Sequence, residues 1–409
     1  MSRRIWVVSE LYYPERTSTG RVLTATAEAL ARTEEVHVLC AQPTYDAKGV
    51  RALKRETHNG AKIVRCSSTT FPRTVLPLRA INALSLTLST FFHALFGVKR
   101  GDVVLVVTNP PTLPFIVQLA CRLKGAPCVL LVHDVYPESL ARAGLTSEEG
   151  FAYRLIDKMS AKLISRMRRV IVLGRDVPPL LEARLKRYGK NVPPMDLVPN
   201  YGDVDEVQPM PRVGNRILAE LGVADRFVIQ YAGNMGRTHG LQNVLTVLER
   251  LREDPRAFFL FVGSGAFKKR LEDEVREHKW SNVAVSSYRP IEELSESLAA
   301  CDVALITFAA NMEGVSVPSR MYNVMASART IIGVCGEESE LGLVIREHRI
   351  GWIAKPDDPE SLIQTIAEAM ATSAEEREAM GRRAREAVER LYTPEHTFSK
   401  TAESLRAAV

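Results

Sequence analysis

The sequence predicts an α/β protein built from two parallel-sheet domains, and three observations carry that prediction. Its 409 residues exceed what one ordinary hydrophobic core organises and suit two domains of roughly 200 residues. Short β-branched runs alternate with helical-period stretches of about a dozen residues. The alternation breaks once, just past Pro199, and then starts again.

In the first half, Ile5–Val8 and Val36–Cys40 read as strands flanking a helix from about Gly20 to Arg32. Val103–Thr108 and Cys128–Val132 are further strands, with a helix at Leu113–Lys124 between them, and Val170–Leu173 and Asp196–Pro199 close the half. Uninterrupted apolar strands separated by helices indicate a parallel sheet covered on both faces. In the second half, strands are predicted at Phe227–Ala232, Ala257–Val262, Val283–Ser286, Val303–Thr307 and Thr330–Val334. Helices at Leu241–Leu251, Lys268–His278, Ile291–Ala300 and Pro318–Ala328 separate them, and Pro359–Ala371 and Glu375–Arg390 end the pattern. The stretch PNYGDVDEVQPMPRVGN loses all periodicity and marks the join. The expected domains are 1–200 and 201–391.

A chain that is 46% hydrophobic and 25% charged is a packed globular protein, not a disordered or fibrous one. Lys and Arg number 54 against 48 Asp and Glu, and the resulting charge of +6 suits an anionic partner. That partner could be a nucleotide, a polyphosphate lipid or an acidic membrane face. No zinc pattern, RNP-like strand or basic stripe supports nucleic acid. The six cysteines are scattered without a CxxC, so buried free thiols are expected and no metal site. The opening MSRRIWVVSELYYPE reads as a first strand rather than a secretory signal.

Leu76–Val98 reads LPLRAINALSLTLSTFFHALFGV, with Arg79 and His93 as its ionisable residues and Lys99 and Arg100 just beyond. Such a helix is either buried in the fold or lies in a membrane interface or acceptor groove; Arg79 argues against spanning.

Ligands of parallel sheets bind outside the carboxyl ends of the strands, so the loops after strands carry the functional reading. YAGNMGRTHGLQNVL holds Asn234 and Gly236 in a Gly-rich turn, with Arg237 and His239 adding fixed or switchable positive charge. LFLFVGSGAFKKRLEDEV puts Lys268 at a helix start, where a cation opposes the macrodipole unless an anion is present. In MEGVSVPSRMYNVMASARTII, Ser319 is expected to cap a helix and Arg320 to meet an anion, while Glu313 precedes them as a hydrogen-bond acceptor for hydroxyls. For Glu313 an ordinary surface carboxylate is an equal reading. In the first half, His133 and Asp134 follow a strand in VLLVHDVYPESLARAG. There an imidazole of near-neutral pKa could exchange protons or bind a sugar hydroxyl; a strand-end cap is the alternative. Asn109, Pro110 and the loop Glu15–Gly20 end neighbouring elements. GxGxxG after the first strand, GxxxxGK[ST], HExxH and a GxSxG elbow are all missing.

Taken in order, VVSELYYPERTSTG, VTNPPTLPFIVQLA, HDVYPESLARAG, VPNYGDVDEVQP, YAGNMGRTHGLQNVL, FVGSGAFKKRLE and VPSRMYNVMASARTII resemble the retaining glycosyltransferases of family four. The branch they look closest to builds bacterial surface polysaccharides such as colanic acid and O-antigen. The resemblance implies the GT-B fold: two Rossmann-like domains facing a cleft, the acceptor on the first, the nucleotide-sugar donor on the second, and a last helix (392–409) returning to the first. It implies a nucleoside-diphosphate sugar as donor, with a UDP-linked N-acetylated hexosamine expected, and no metal or other cofactor. The acceptor would be a lipid-linked or other saccharide, met by a cytoplasmic protein at the inner membrane face.

Carried over by residue, Gly20 would approach the diphosphate and His133, beside Asp134, the reacting sugar. Lys268, Ser319 and Arg320 would cradle phosphate, Glu313 would hold sugar hydroxyls, and Glu340 matches an acidic position typical of the branch. The chain departs from the family at Asn234 and His239, where an Arg and a Lys are usual, and near Asn323, where a second carboxylate is usual. Neutralisation would then shift toward Arg237, Lys268 and Arg320. An inverting transferase, a sugar-nucleotide epimerase or a binding protein without catalysis remain the alternatives.

Overall fold

The computed structural model describes residues 3–15, 17–43, 51–71 and 75–409. Two compact units form: Met1–Glu138 with Ser147–Pro199 and Glu395–Val409, and Ser139–Thr146 with Asn200–Pro394.

The first unit begins with β1 (Arg4–Val8), α1 (Ser18–Ala31), β2 (Glu35–Cys40), β3 (Arg55–His58) and β4 (Ala61–Arg65). The long α2 (Leu76–Gly97), β5 (Val103–Val107), α3 (Leu113–Lys124) and β6 (Cys128–Val132) follow, and then short α4 (Glu138–Arg142), which from Ser139 on belongs to the second unit. Then come α5 (Phe151–Ile164), β7 (Arg169–Val172), α6 (Val177–Arg187) and β8 (Met195–Leu197). The strands line up as β3-β4-β2-β1-β5-β6-β7-β8, parallel except for the β3–β4 hairpin. Strand order reverses between β1 and β5, and the sheet is deepest there, with Val7, Val8 and Val104 to Val107 wholly buried. One face packs against α2, α3, α5 and α6 through Trp6, Val8, Val106 and Leu130.

Helix α2 is fixed to that face. Leu86 and Ala94 enter the core, and a Cβ on Gly97 would lie 2.8 Å from the Trp6 ring. Asp102, just beyond it, accepts from Arg4 and from the Trp6 indole at 3.0 Å. The side chains of Leu76 and Arg79 lie outside the described residues, as does Arg16 of the Glu15–Gly20 loop.

In the second unit, α7 (Arg216–Glu220), β9 (Phe227–Asn234), α8 (Leu241–Arg250), β10 (Ala257–Ser264) and α9 (Lys268–Glu277) come first. Next are β11 (Val283–Ser286), α10 (Leu294–Ala299), β12 (Val303–Thr307), α11 (Arg320–Ala326) and β13 (Thr330–Val334). α12 (Glu340–His348), β14 (Gly351–Ala354), α13 (Pro359–Ala371) and α14 (Ala374–Leu391) complete it. Its sheet runs β11-β10-β9-β12-β13-β14, all parallel, and reverses between β9 and β12. The final helix, α15 (Pro394–Ala407), belongs to the first unit. There Thr397 donates to the Pro199 carbonyl at 2.9 Å, Ser404 to Asp196 at 2.6 Å, and Arg168 to the Ala408 carbonyl at 3.0 Å.

The α/β reading with two parallel sheets holds, while several elements differ. The hairpin β3–β4 escapes periodicity because it is a polar edge; its Asn59-Gly60 turn, with φ of 44° and 84°, was the available signal. Helices α5, α6 and α12 and strand β14 were also missed. The helix expected at Ile291–Ala300 is a 3-10 turn (Ile291–Glu293) followed by α10, and the one expected at Pro318–Ala328 shortens to α11. All six cysteines are buried free thiols.

Candidate functional site

In the second unit the loops after β9, β10, β12 and β13 converge beside the strand-order reversal, the position at which open parallel sheets leave a crevice. Register brings the glycine loops together: Gly263 pairs with Gly233 and Ser264 with Asn234. A Cβ on Gly263 would fall 1.9 Å from the Gly233 carbonyl oxygen, so the close approach of the two loops requires glycine.

Arg320, first residue of α11, reaches into this junction. Its guanidinium carbon stands 4.5 Å from the Tyr231 ring centroid, a cation–π geometry, and it donates to the Thr307 carbonyl at 3.3 Å. A Cβ on Gly233 would meet its terminal nitrogen at 2.8 Å. Among the described residues no carboxylate pairs with Arg320, so its charge is held in place and left uncompensated.

His239 corrects its sequence reading as a switchable cation. Its Nδ1 lies 2.5 Å from the Asn234 carbonyl oxygen, which can only accept from it, 3.0 Å from the Tyr231 hydroxyl and 3.2 Å from the Gly236 nitrogen. Burial, reinforced by the Arg320 charge and only partly offset by the Asn234 carbonyl, pushes its pKa down to about 3. The neutral ring pins the Asn234–Gly236 turn, and the Tyr231 hydroxyl donates to Asn234 O at 2.6 Å in the same cluster. Tyr231 is part of this constellation and was missed; an aromatic residue inside a buried strand carries no sequence signal for it.

The other predicted residues of this unit divide. Glu313 turns its carboxylate onto Gly336, where a Cβ would meet Oε1 at 1.8 Å, so the loop after β13 needs glycine to admit it. Glu340 is buried in the first turn of α12, which Ser339 caps through the Gly342 N–H. Arg237 is exposed on the 3-10 turn Arg237–His239. Ser319 takes a helical conformation ahead of α11 and does not cap it, correcting the expected cap. Lys268 is turned to the sheet edge: Nζ donates to Ser287 at 2.7 Å and lies 3.6 Å from Glu272 on its own helix.

In the first unit, β5 and β6 end side by side. The Thr108 hydroxyl accepts the backbone N–H of His133 at 3.1 Å and of Asp134 at 3.2 Å, which fixes the turn. Behind it, Glu138 pairs with Arg184 of α6, and Arg184 Nε lies 2.7 Å from buried Asp157 of α5. Peptide bonds Tyr13–Pro14, Asn109–Pro110 and Tyr136–Pro137, at the ends of β1, β5 and β6, are cis. Burial pushes the His133 pKa down to about 4, so the near-neutral titration expected of it is corrected. Its Nε2 is buried and has no hydrogen-bond partner among the described residues. Gly20 sits in the first turn of α1, buried, with its N–H accepted by Thr17 at 3.2 Å.

Comparison with known proteins gives the family and the fold. Residues 18–200 match the model of the glycosyl transferase 4-like domain, and 216–387 that of the glycosyl transferases group 1. WbjE of Pseudomonas aeruginosa, named for glycosyl transfer, is 35% identical over 292 residues, covering 70% of this chain and 72% of WbjE. WcaI of Escherichia coli (strain K12), named for glycosyl transfer in colanic acid biosynthesis, is 24% identical over 90% of this chain and 92% of its own. Among solved structures, sucrose-phosphate synthase from Thermosynechococcus elongatus superposes with a TM-score of 0.76 at 17% identity, covering 99% of this chain and 98% of its own. Anabaena HepE, solved in complex with UDP and glucose, gives 0.73 at 14% identity, over 99% and 100%.

Proposed function

Since this chain belongs to the family-four, GT-B glycosyltransferases of surface-polysaccharide biosynthesis, we propose that it moves a sugar from a nucleoside-diphosphate donor to a saccharide or lipid-linked acceptor, with retention at the anomeric carbon. The donor is UDP-linked and carries an N-acetylated hexosamine; HepE, of the same fold, binds UDP. The acceptor is met at the inner face of the cell membrane. No metal takes part.

The observation that carries this reading is the uncompensated Arg320 guanidinium, held over Tyr231 beside two glycine loops that pack closely on each other. In the reaction the anomeric C–O bond to the diphosphate breaks and its electron pair leaves on phosphate. The acceptor hydroxyl forms the new bond, and its proton passes to the departing diphosphate. A fixed guanidinium aimed at that developing charge stabilises the transition state without reorganisation. It stands in for the basic pair replaced by Asn234 and His239. Glu313 accepts hydrogen bonds from sugar hydroxyls, and neutral His133 offers Nε2 to the sugar. Arg237 and Gly236 line the phosphate side.

UDP release should be followed with a panel of UDP-sugars and polyprenyl-diphosphate-linked saccharides, and the product examined by proton NMR. The reading expects an acceptor-dependent product that keeps the donor's anomeric configuration. An inverted product would overturn retention, and sugar conversion without acceptor would mean epimerisation.

A further inference from the structure

The helices on one face of the first sheet present a second functional surface. Along the outer side of α2, Ile81, Leu84, Leu88, Phe92 and Phe96 recur at helical spacing and are all exposed, Phe96 to 79%. Neighbouring α3 adds exposed Leu119 and Leu123. On α5, next in line, Phe151, Leu155 and Met159 form a third stripe, with Phe151 exposed to 83%. Monomeric soluble surfaces rarely carry contiguous apolar area of this kind.

The charge around these stripes is mostly positive. Lys99 and Arg100 follow α2, Arg122 lies on α3, and Lys158 and Lys162 lie on α5, all exposed. The acids of these segments and their flanks are Asp102 and Asp157, both buried and ion-paired with Arg4 and Arg184, and exposed Glu148 and Glu149 ahead of α5. Helix α14, on the other unit, shows the ordinary alternative: its five glutamates and five arginines are interspersed. An apolar face rimmed mainly by cations complements an anionic bilayer, where aromatic and aliphatic groups enter the headgroup boundary and lysines meet phosphate.

We propose that the α2–α3–α5 face docks this protein onto anionic lipid. Ala80–Gly97 is long and apolar enough to cross a membrane by composition, but its inner side is committed to the core through Leu86, Ala94 and Gly97. The helix therefore lies on the bilayer. Docking here rests on the proposed membrane acceptor for its purpose, since it brings the first unit to a lipid-linked saccharide. Its test reads lipid binding and not turnover.

Flotation is measured with vesicles of phosphatidylglycerol mixed with phosphatidylcholine and with phosphatidylcholine alone. The native chain should bind the anionic vesicles, with about tenfold or greater loss in Lys158→Glu/Lys162→Glu and in Leu88→Glu/Phe92→Glu. Both variants should keep native melting curves and native turnover of a water-soluble acceptor. A Phe96→Trp reporter should be quenched by brominated acyl chains beyond the quenching of the native tryptophans. Equal binding to both vesicle types, unchanged binding by both variants, or a lipid-free native dimer that the variants dissociate would each overturn the proposal. Loss of turnover with vesicle binding intact would count against the transfer reading and leave the docking surface standing.

Discussion

Arg320 and Lys268 look alike in the sequence: each is a cation opening a helix after a loop that follows a strand. The fold separates them. Lys268 faces the sheet edge, with Ser287 and its own helix partner Glu272 around its ammonium. Such an i,i+4 pair satisfies a helix-start cation without any ligand. Arg320 lies over Tyr231 on the central strand, beside the strand-order reversal, with no carboxylate among the described residues. A positive helix start is therefore an anion site only when the fold withholds an internal counter-charge. The charge missing at Asn234 and His239 is made good from α11, not from α9.

Substitutions test that contrast, beginning with the largest effect. Arg320→Ala should lower kcat/KM by about a hundredfold to a thousandfold, as loss of a preorganised transition-state donor does; steady-state kinetics measure it. Glu313→Gln keeps the shape of the Gly336 contact but weakens an acceptor for sugar hydroxyls. Its expected loss is about tenfold to a hundredfold, with sugar-nucleotide affinity falling more than affinity for the free diphosphate.

The next effect is on stability. His239 and His133 titrate at about 3 and about 4 in the fold, below the 6.5 of an unperturbed ring. The unfolded chain therefore binds more protons below pH 6.5, and stability falls as pH drops toward those values. The loss is up to about 1.4 kcal/mol per pH unit for each ring. Urea titrations across that range should show it, and His239→Gln should flatten it. Lys268→Ala should change kcat/KM by no more than about threefold, a surface ion pair being worth about 0.5 kcal/mol. Chelation should do nothing: if guanidinium and backbone neutralise the diphosphate, turnover with EDTA equals turnover without it.

Both sheets were legible because buried parallel strands are continuous apolar runs, and β5, β6, β9, β10, β12 and β13 announce themselves that way. What the pattern could not carry were the polar hairpin β3–β4 and helices such as α5, whose outward side is apolar as well as its inward side. Leu155 and Met159 blur the two-faced period that marks a helix. At the site, loop positions and residue types were visible, while the direction of each side chain was not. Periodicity has no term for Tyr231 turning its ring beneath Arg320, for His239 folding back onto Asn234, or for Lys268 bending to Ser287. Those are tertiary choices, and they decide which cations are free to meet a ligand.

Isothermal titration of UDP and of uridine against the native chain, Arg320→Ala and Lys268→Ala tests the account most directly. Arg320→Ala should weaken UDP by about tenfold or more while uridine binds as before, and Lys268→Ala should bind both like the native chain. If UDP binds Arg320→Ala as tightly as it binds the native chain, the guanidinium does not hold the diphosphate and the assignment of this site fails.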